Sequence, residues 1–384
     1  AVTGLGTISS NGTDLASFWH WICHAPAAPV VTPVSDFDPR RWLSAKDVRR
    51  SDVFSQYGVA ASHEAVRDAG IDPAEVAPRR GGVVLANVYG AQVSLEAERD
   101  RMEAGAEIDV APYLSAASCE STASAMVSIH LGWRGPSRVI STACAGGTHA
   151  VSEAADLIRS GRCDVVVAGG TMGPITPVLM ASYRNLRVLS PTGWLRPFDR
   201  RRDGFVFADG AAALVLEPLD AARARGARIY AEVLGSGQTN DAESLVNPSQ
   251  LGAVECIEDA LADAELHPSD IAHVNAHGTG TVVNDTREAE ALHHVFGTPP
   301  PVTSTKRVMG HAAAASGAFE AVITALSVHH GVIPSLGPDV DPDPTCGLDL
   351  VVGPSRPFTP GPVLSNSFGL GGHNGCLILG PPDA

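Results

Sequence analysis

Lysine is nearly missing from this 384-residue chain: Lys46 and Lys306 stand alone among 27 basic residues, so almost all positive charge is arginine. Positive charge as a whole is in deficit. Against those residues stand 42 Asp and Glu, and the net charge of −15 argues against nucleic acid as the main partner. Solubility is the modest positive conclusion. No apolar run reaches the ~20 residues of a membrane-spanning helix, so no membrane partner is expected. A charged-then-apolar leader is not seen at Ala1; the cytoplasmic location expected rests on the scattered, unpaired cysteines. Metal-type cysteine pairs are missing too. The seven cysteines (23, 119, 144, 163, 256, 346 and 376) are odd in number and scattered, which fits reduced thiols and predicts no metal site. Gly4 and Gly6 begin a dinucleotide fingerprint but Ser9 stands where the third glycine belongs, so that reading is rejected. Low-complexity segments, an obvious linker and a convincing internal repeat are likewise not found.

What is present is a pattern of strands alternating with helices through both halves, in a chain long enough for two domains or one large fold. Val2 opens a strand. Phe54 to Gly70 reads as an amphipathic helix and Gly81 to Asn87 as a short buried strand. The Ala- and Ser-rich stretch Pro112 to Leu131 predicts a closely packed helix. Asp164 to Gly169 is an unbroken apolar run of the kind buried on both faces of a sheet. Phe205 to Glu217 reads as two short strands around Asp209-Gly210, and Leu219 to Gly226 as a short helix. A strand is expected over Ile229 to Gly235, a helix over Ala253 to Ala264, and a strand over Ile271 to Asn275. Pro26 to Pro39 is proline-rich and loop-like. Arg40, Arg41, Lys46, Arg49 and Arg50 form the densest basic run, a solvated surface or a docking patch, with Arg200 to Arg202 as a second cluster.

The chemistry gathers where strands end. Val139 and Ile140 run into Cys144, and Ala145-Gly146-Gly147 turns the chain into a helix over Thr148 to Arg159. A helix N-terminus concentrates unpaired N–H groups and favours thiolate over thiol. A buried structural cysteine beside a tight turn is the equal alternative on this stretch alone. Three further segments put polar groups at strand ends: Asn275 to Thr281 with Asn284 and Asp285, Ser304 to Lys306 with Gly310-His311, and Ser365 to Asn374. Open α/β sheets build active sites in such loops. A cysteine with two separated histidines allows nucleophilic attack and neutral donors for a developing oxyanion.

Five motifs occur in order: Ser141-Thr142-Ala143-Cys144, Pro197-Phe198-Asp199 with Asp203-Gly204-Phe205, His277-Gly278-Thr279-Gly280-Thr281 with Asn284-Asp285, Lys306 with Gly310-His311, and Asn366-Ser367-Phe368-Gly369. Together they resemble the β-ketoacyl synthases, the condensing enzymes of fatty acid and polyketide synthesis, from Val2 to about Leu379. The resemblance implies an α/β, thiolase-like fold of two related halves in five layers, α-β-α-β-α. The halves would divide near Ala221 to Arg228, with residues 1–225 carrying the nucleophile and residues 226–384 carrying both histidines and the Gly-rich loop. It implies that Cys144 takes an acyl group and that His277 and His311 bind the thioester oxygen of malonyl-acyl carrier protein during decarboxylation. Backbone N–H groups of Cys144 and Leu370 would form the oxyanion hole, and Leu370 the gate. Lys306 would pair with Glu320, Asp285 would lie near His277, and Thr279 and Thr281 would hold the phosphopantetheine arm. No cofactor of the protein's own is implied, because the pantetheine arrives on the carrier protein.

The same resemblance implies a dimer, either of identical chains or with a related ketosynthase-like subunit, with Pro112 to Leu131 near the interface. The alternative is a chain-length-setting, non-condensing partner subunit, against which intact Cys144, His277 and His311 argue. A thiolase or hydrolase on the same fold is disfavoured by Lys306 with Gly310-His311. Five departures from the family pattern stand out: Leu370 for Phe, Asp209 for Glu, Met309 before Gly310, Ser316 for Ala, and the Asn247-Pro248 loop. They lean toward specialised polyketide synthesis.

Overall fold

The computed structural model describes residues 1–10, 12–24, 33–105 and 110–382. Strands Val2–Ile8 (β1), Gly81–Ala86 (β2), Ser137–Ile140 (β3), Val165–Met172 (β4) and Gly210–Leu216 (β5) form one sheet in the order β1-β5-β4-β2-β3. β5 is antiparallel to both neighbours, and the β4-β2-β3 pairs are parallel. Apolar and small residues run unbroken through β2, β4 and β5 because both faces of this sheet are covered. Gly4 and Gly6 have a packing role here. A Cβ on either would fall 2.1 Å from a carbonyl oxygen of helix Val53–Asp68, at Ala65 and Ala61 respectively.

The second half repeats the plan. Glu232–Asn240 (β6), His273–Asn275 (β7) and Val302–Thr303 (β8) precede a small ribbon of Val332–Ile333 (β9) and Arg356–Pro357 (β10). Val363–Gly369 (β11) and His373–Gly380 (β12) then complete a sheet in the order β6-β12-β11-β7-β8. Position for position this is the order and the parallel or antiparallel sense of the first sheet. The two halves are therefore related in topology although no sequence repeat is visible. Burial pattern and connection handedness fix such a topology, and many sequences satisfy both.

Helices Val53–Asp68 and Thr122–Leu131 cover the outer face of the first sheet. Gln250–Asp263 covers the second sheet, with Val282–Phe296 beside it. Between the sheets lie Gly146–Arg159 and Ser316–His330, packed on each other. Five layers result, α-β-α-β-α, as the thiolase-like fold requires. The two central helices cross closely: a Cβ on Gly147 would lie 2.3 Å from the Ala318 nitrogen, and one on Gly317 2.6 Å from the Thr148 nitrogen.

Several local expectations change. Pro112 to Leu131 is two helices, Leu114–Ala117 and Thr122–Leu131. The Ser118 and Thr122 hydroxyls donate to the Ser115 and Ala116 carbonyls at 3.1 and 2.6 Å, which ends the first turn. Phe205 to Glu217 holds one strand, β5. Phe205 and Phe207 form only isolated bridges, to Leu189 and His311, because that segment serves the His311 backbone. The strand expected at Ile229 starts at Glu232 instead, since Tyr230 and Ala231 bond across to Val2. Residues 26–32 of the proline-rich stretch lie outside the described residues. Among the described residues no helix is long and apolar enough to cross a membrane.

Candidate active site

Cys144 sits in a one-turn segment, Ala143–Ala145, that leads into helix Gly146–Arg159. Ala143 before it has φ of +47°, a left-handed conformation that costs a non-glycine residue about 1–2 kcal/mol. The second half repeats the device, with Ala313 at φ +43° opening the turn Ala313–Ala315 ahead of helix Ser316–His330. The end of β11 lies against the first elbow so closely that a Cβ on Gly369 would be 3.0 Å from the Cys144 nitrogen. The backbone N–H groups of Leu370 and of Cys144 itself lie near enough to the Cys144 sulfur to favour its charged form.

Burial nevertheless pushes the Cys144 thiol up to about 11, ahead of the opposing pull of Lys306 and those N–H groups. The expectation that the helix end favours thiolate therefore fails at rest. Desolvation of the charged sulfur outweighs a partial dipole charge.

His277 follows β7 and His311 follows helix Lys306–Met309, and their rings meet edge-on at 5.6 Å between centroids. Each Nδ1 is occupied: Lys306 Nζ lies 3.2 Å from that of His277, and Ser316 Oγ lies 2.8 Å from that of His311. Among the described residues no hydrogen bond reaches either Nε2, and both rings line the same cavity as Cys144. Burial first, then the Lys306 charge, hold both imidazoles well below their ordinary value, so both are neutral at pH 7. Lys306 and Glu320 form an ion pair with neither side chain exposed. Burial lifts Glu320 to about 7 against the pull of Lys306. The His311 backbone is held by Val206 and Ala208, through bonds of 2.8 and 3.0 Å.

The loop after His277 is tied by two buried carboxylates. Asp285 accepts from the Phe198 and Gly280 nitrogens at 2.8 and 3.1 Å, so it pins the loop without contacting the imidazole. Glu288, one helical turn further along Val282–Phe296, accepts from the His277 and Gly278 nitrogens at 2.7 and 2.8 Å. The sequence reading passed over Glu288. Its spacing of three from Asp285 on a helix was the available signal. Thr279 and Thr281 hydroxyls bond each other at 3.0 Å and face the cavity.

The cavity encloses about 360 Å³ and contains Cys144, His277, His311 and Leu370 in its lining. Tyr183, Phe205 and Phe207 pack edge-to-face along one wall. Four exposed apolar side chains, Leu186, Val246, Val282 and Val283, belong to it on the solvent side, together with Asn247-Pro248. Of the other departures, Asp209 accepts from Tyr57 Oη at 3.1 Å and the Val34 nitrogen at 3.0 Å, a structural post. Met309 is packed in the core. Ser316 touches His311.

The sequence matches the family models for the β-ketoacyl synthase N-terminal domain over residues 23–222 and C-terminal domain over residues 230–337. The chain belongs to the β-ketoacyl synthase family. Its reaction is accordingly decarboxylative condensation of an acyl group with malonyl-acyl carrier protein. The synthase is 35% identical over 402 residues to 3-oxoacyl-[acyl-carrier-protein] synthase 2 of Staphylococcus aureus, covering 98% of this chain and 100% of the relative. It is similar to the solved ishigamide ketosynthase/chain length factor, with a TM-score of 0.93 and 32% identity over 99% and 98% of the two chains. A ketosynthase solved with its type II PKS acyl-carrier protein and bound to the hexaketide (AntDE:AntF) gives 0.86 and 28%, over 99% and 98%.

Proposed function

We propose that Cys144 is the acyl carrier of the reaction, that His277 and His311 drive decarboxylation, and that the Cys144 and Leu370 N–H groups form the oxyanion hole. One observation supports this: Cys144, His277 and His311 line one cavity, while each imidazole Nδ1 is already engaged by a residue outside the lining, Lys306 or Ser316. Cys144 loses its proton as it attacks the thioester carbonyl, and the pantetheine thiol leaves with a proton. Malonyl-carrier protein then enters, its C–CO₂ bond breaks, and the electron pair moves onto the thioester oxygen between the two histidines. The enolate carbon attacks the acyl-Cys144 carbonyl. The tetrahedral oxyanion is held by two backbone N–H groups, and its collapse releases the Cys144 thiolate, which regains a proton. Removing one such donor typically costs roughly 10²–10³ in rate.

Burial, with the Lys306 charge behind it, keeps both imidazoles neutral, and Lys306 is itself held by Glu320. Thr279 and Thr281 take the phosphopantetheine arm, which belongs to the carrier protein, and Asp285 sets their loop. The halves meet between residues 225 and 226. The synthase works as a dimer, with an identical chain or a related ketosynthase-like subunit, in the cytoplasm. The ketosynthase/chain length factor relative supports the second arrangement. The departures at Leu370 and Asn247-Pro248 border the cavity and favour a polyketide over a fatty acyl chain. A smaller side chain than Phe at position 370 leaves more room beside the first acyl carbons. Loading the holoenzyme from a panel of acyl-carrier proteins and digesting it tests the assignment. The acyl mass is expected on the Cys144 peptide; an acyl group on any of the other six cysteines overturns it.

A further inference from the structure

Ser316 is the fully buried first residue of helix Ser316–His330, and its hydroxyl has one hydrogen-bond partner among those described, His311 Nδ1 at 2.8 Å. That single bond can be drawn in two ways. If Nδ1 carries the proton and donates to Ser316, the serine's own hydrogen is left unpartnered in the core, at a cost of about 1–3 kcal/mol. If the serine donates to a bare Nδ1, both groups are satisfied at once. The second arrangement puts the imidazole proton on Nε2, the atom on the cavity side. His277 reaches the same tautomer by another route, since the Lys306 ammonium can only donate to its Nδ1.

We infer that Ser316 is a positioning residue that fixes His311 as the Nε2–H tautomer and so makes it a hydrogen-bond donor to the substrate oxygen. The two histidines are then a matched pair of neutral donors set by unlike groups, an ammonium behind one and a hydroxyl behind the other. This rests on the proposed role of His311, but the tautomer itself can be read without any activity.

The test is carried out on the enzyme labelled with ¹⁵N-histidine. The native His311 is expected to show a protonated Nε2 and an unprotonated Nδ1. Ser316→Ala is expected to mix the tautomers, and Ser316→Thr, which keeps the hydroxyl, to restore the native pattern. In parallel, Ser316→Ala should lower kcat for malonyl-carrier protein decarboxylation about tenfold with KM little changed. That is less than the roughly 10²–10³ of losing a donor outright, because the alanine variant still samples the right tautomer. Acyl loading of Cys144 should stay near the native rate, which also reports that the variant is folded. A native His311 protonated on Nδ1, or an unaltered tautomer in Ser316→Ala, overturns the inference. A mixed tautomer with unaltered decarboxylation overturns the role assigned to His311 instead.

Discussion

Cys144 carries a proton at neutral pH because burial outweighs Lys306 and two N–H groups. Its alkylation by iodoacetamide should therefore rise about tenfold per pH unit from pH 6 to pH 9, without a plateau. A plateau near pH 7 would return the thiolate that the helix end alone suggests. The histidines run the opposite way: both are held well below 6.5, so neither should give kcat for decarboxylation a limb between pH 6 and pH 8. A limb near 7 that disappears in Glu320→Gln belongs to Glu320, and one that persists would show an imidazole exposed to water. Glu320→Ala leaves the Lys306 ammonium buried without a counter-charge, and a loss of about 3–5 kcal/mol is expected in urea unfolding. Cys144, His277 and His311 were legible because each stands in an ordered motif beside glycines. Glu288 was not, since its one signal, a spacing of three from Asp285 on a helix, is shared by many surface carboxylates. Ser316 was visible only as a departure until its hydroxyl was placed beside an imidazole.

The central helices show why elements were easier to read than their ends. Apolar runs such as Asp164 to Gly169 identify buried strands at once. Where a helix breaks, as at Ser118, the cause is a side-chain hydroxyl competing for a carbonyl, and the pattern of apolar residues does not report it. Gly147 reads as a turn residue in the sequence, yet with Gly317 it forms the close crossing of two helices. Gly147→Ala gains helix propensity of about 1 kcal/mol but places a methyl 2.3 Å from the Ala318 nitrogen. Overpacking of about 1–3 kcal/mol or more should win, lowering the thermal midpoint and slowing both half-reactions together. A variant as stable as the native enzyme would mean that the layers part freely.

At the scale of the whole molecule, a net charge of −15 must be overcome locally if an acidic carrier protein is to dock. In the first basic cluster Arg40 pairs with Asp38 at 2.8 Å, while Arg41 and Arg50 lie over the Trp42 and Tyr113 rings. Arg200, Arg201 and Arg202 are engaged by Asp341, Asp199 and Asp343, at 2.9, 2.7 and 2.5 Å. Reversing them should destabilise the fold rather than weaken docking. Reversing Arg40, Arg41, Arg49 and Arg50 together should raise the carrier-protein KM roughly tenfold, each rim charge being worth under about 1 kcal/mol. Reactivity toward a free pantetheine thioester should not change. An unaltered KM would move docking to the apolar side chains around the cavity mouth. That the halves are related was implied in the sequence only by family resemblance, and the sheet orders β1-β5-β4-β2-β3 and β6-β12-β11-β7-β8 were not legible, because the halves share topology and not residues.

The account turns on a division of labour between one sulfur and two imidazoles. Its most direct test is CO₂ release from malonyl-carrier protein by purified Cys144→Ala and His311→Ala enzymes. Cys144→Ala should form no condensation product yet keep releasing CO₂, because the histidines act without the sulfur. His311→Ala should still load an acyl group on Cys144 but release CO₂ roughly 10²–10³ times more slowly. Equal loss of loading and decarboxylation in a folded His311→Ala enzyme would contradict the account.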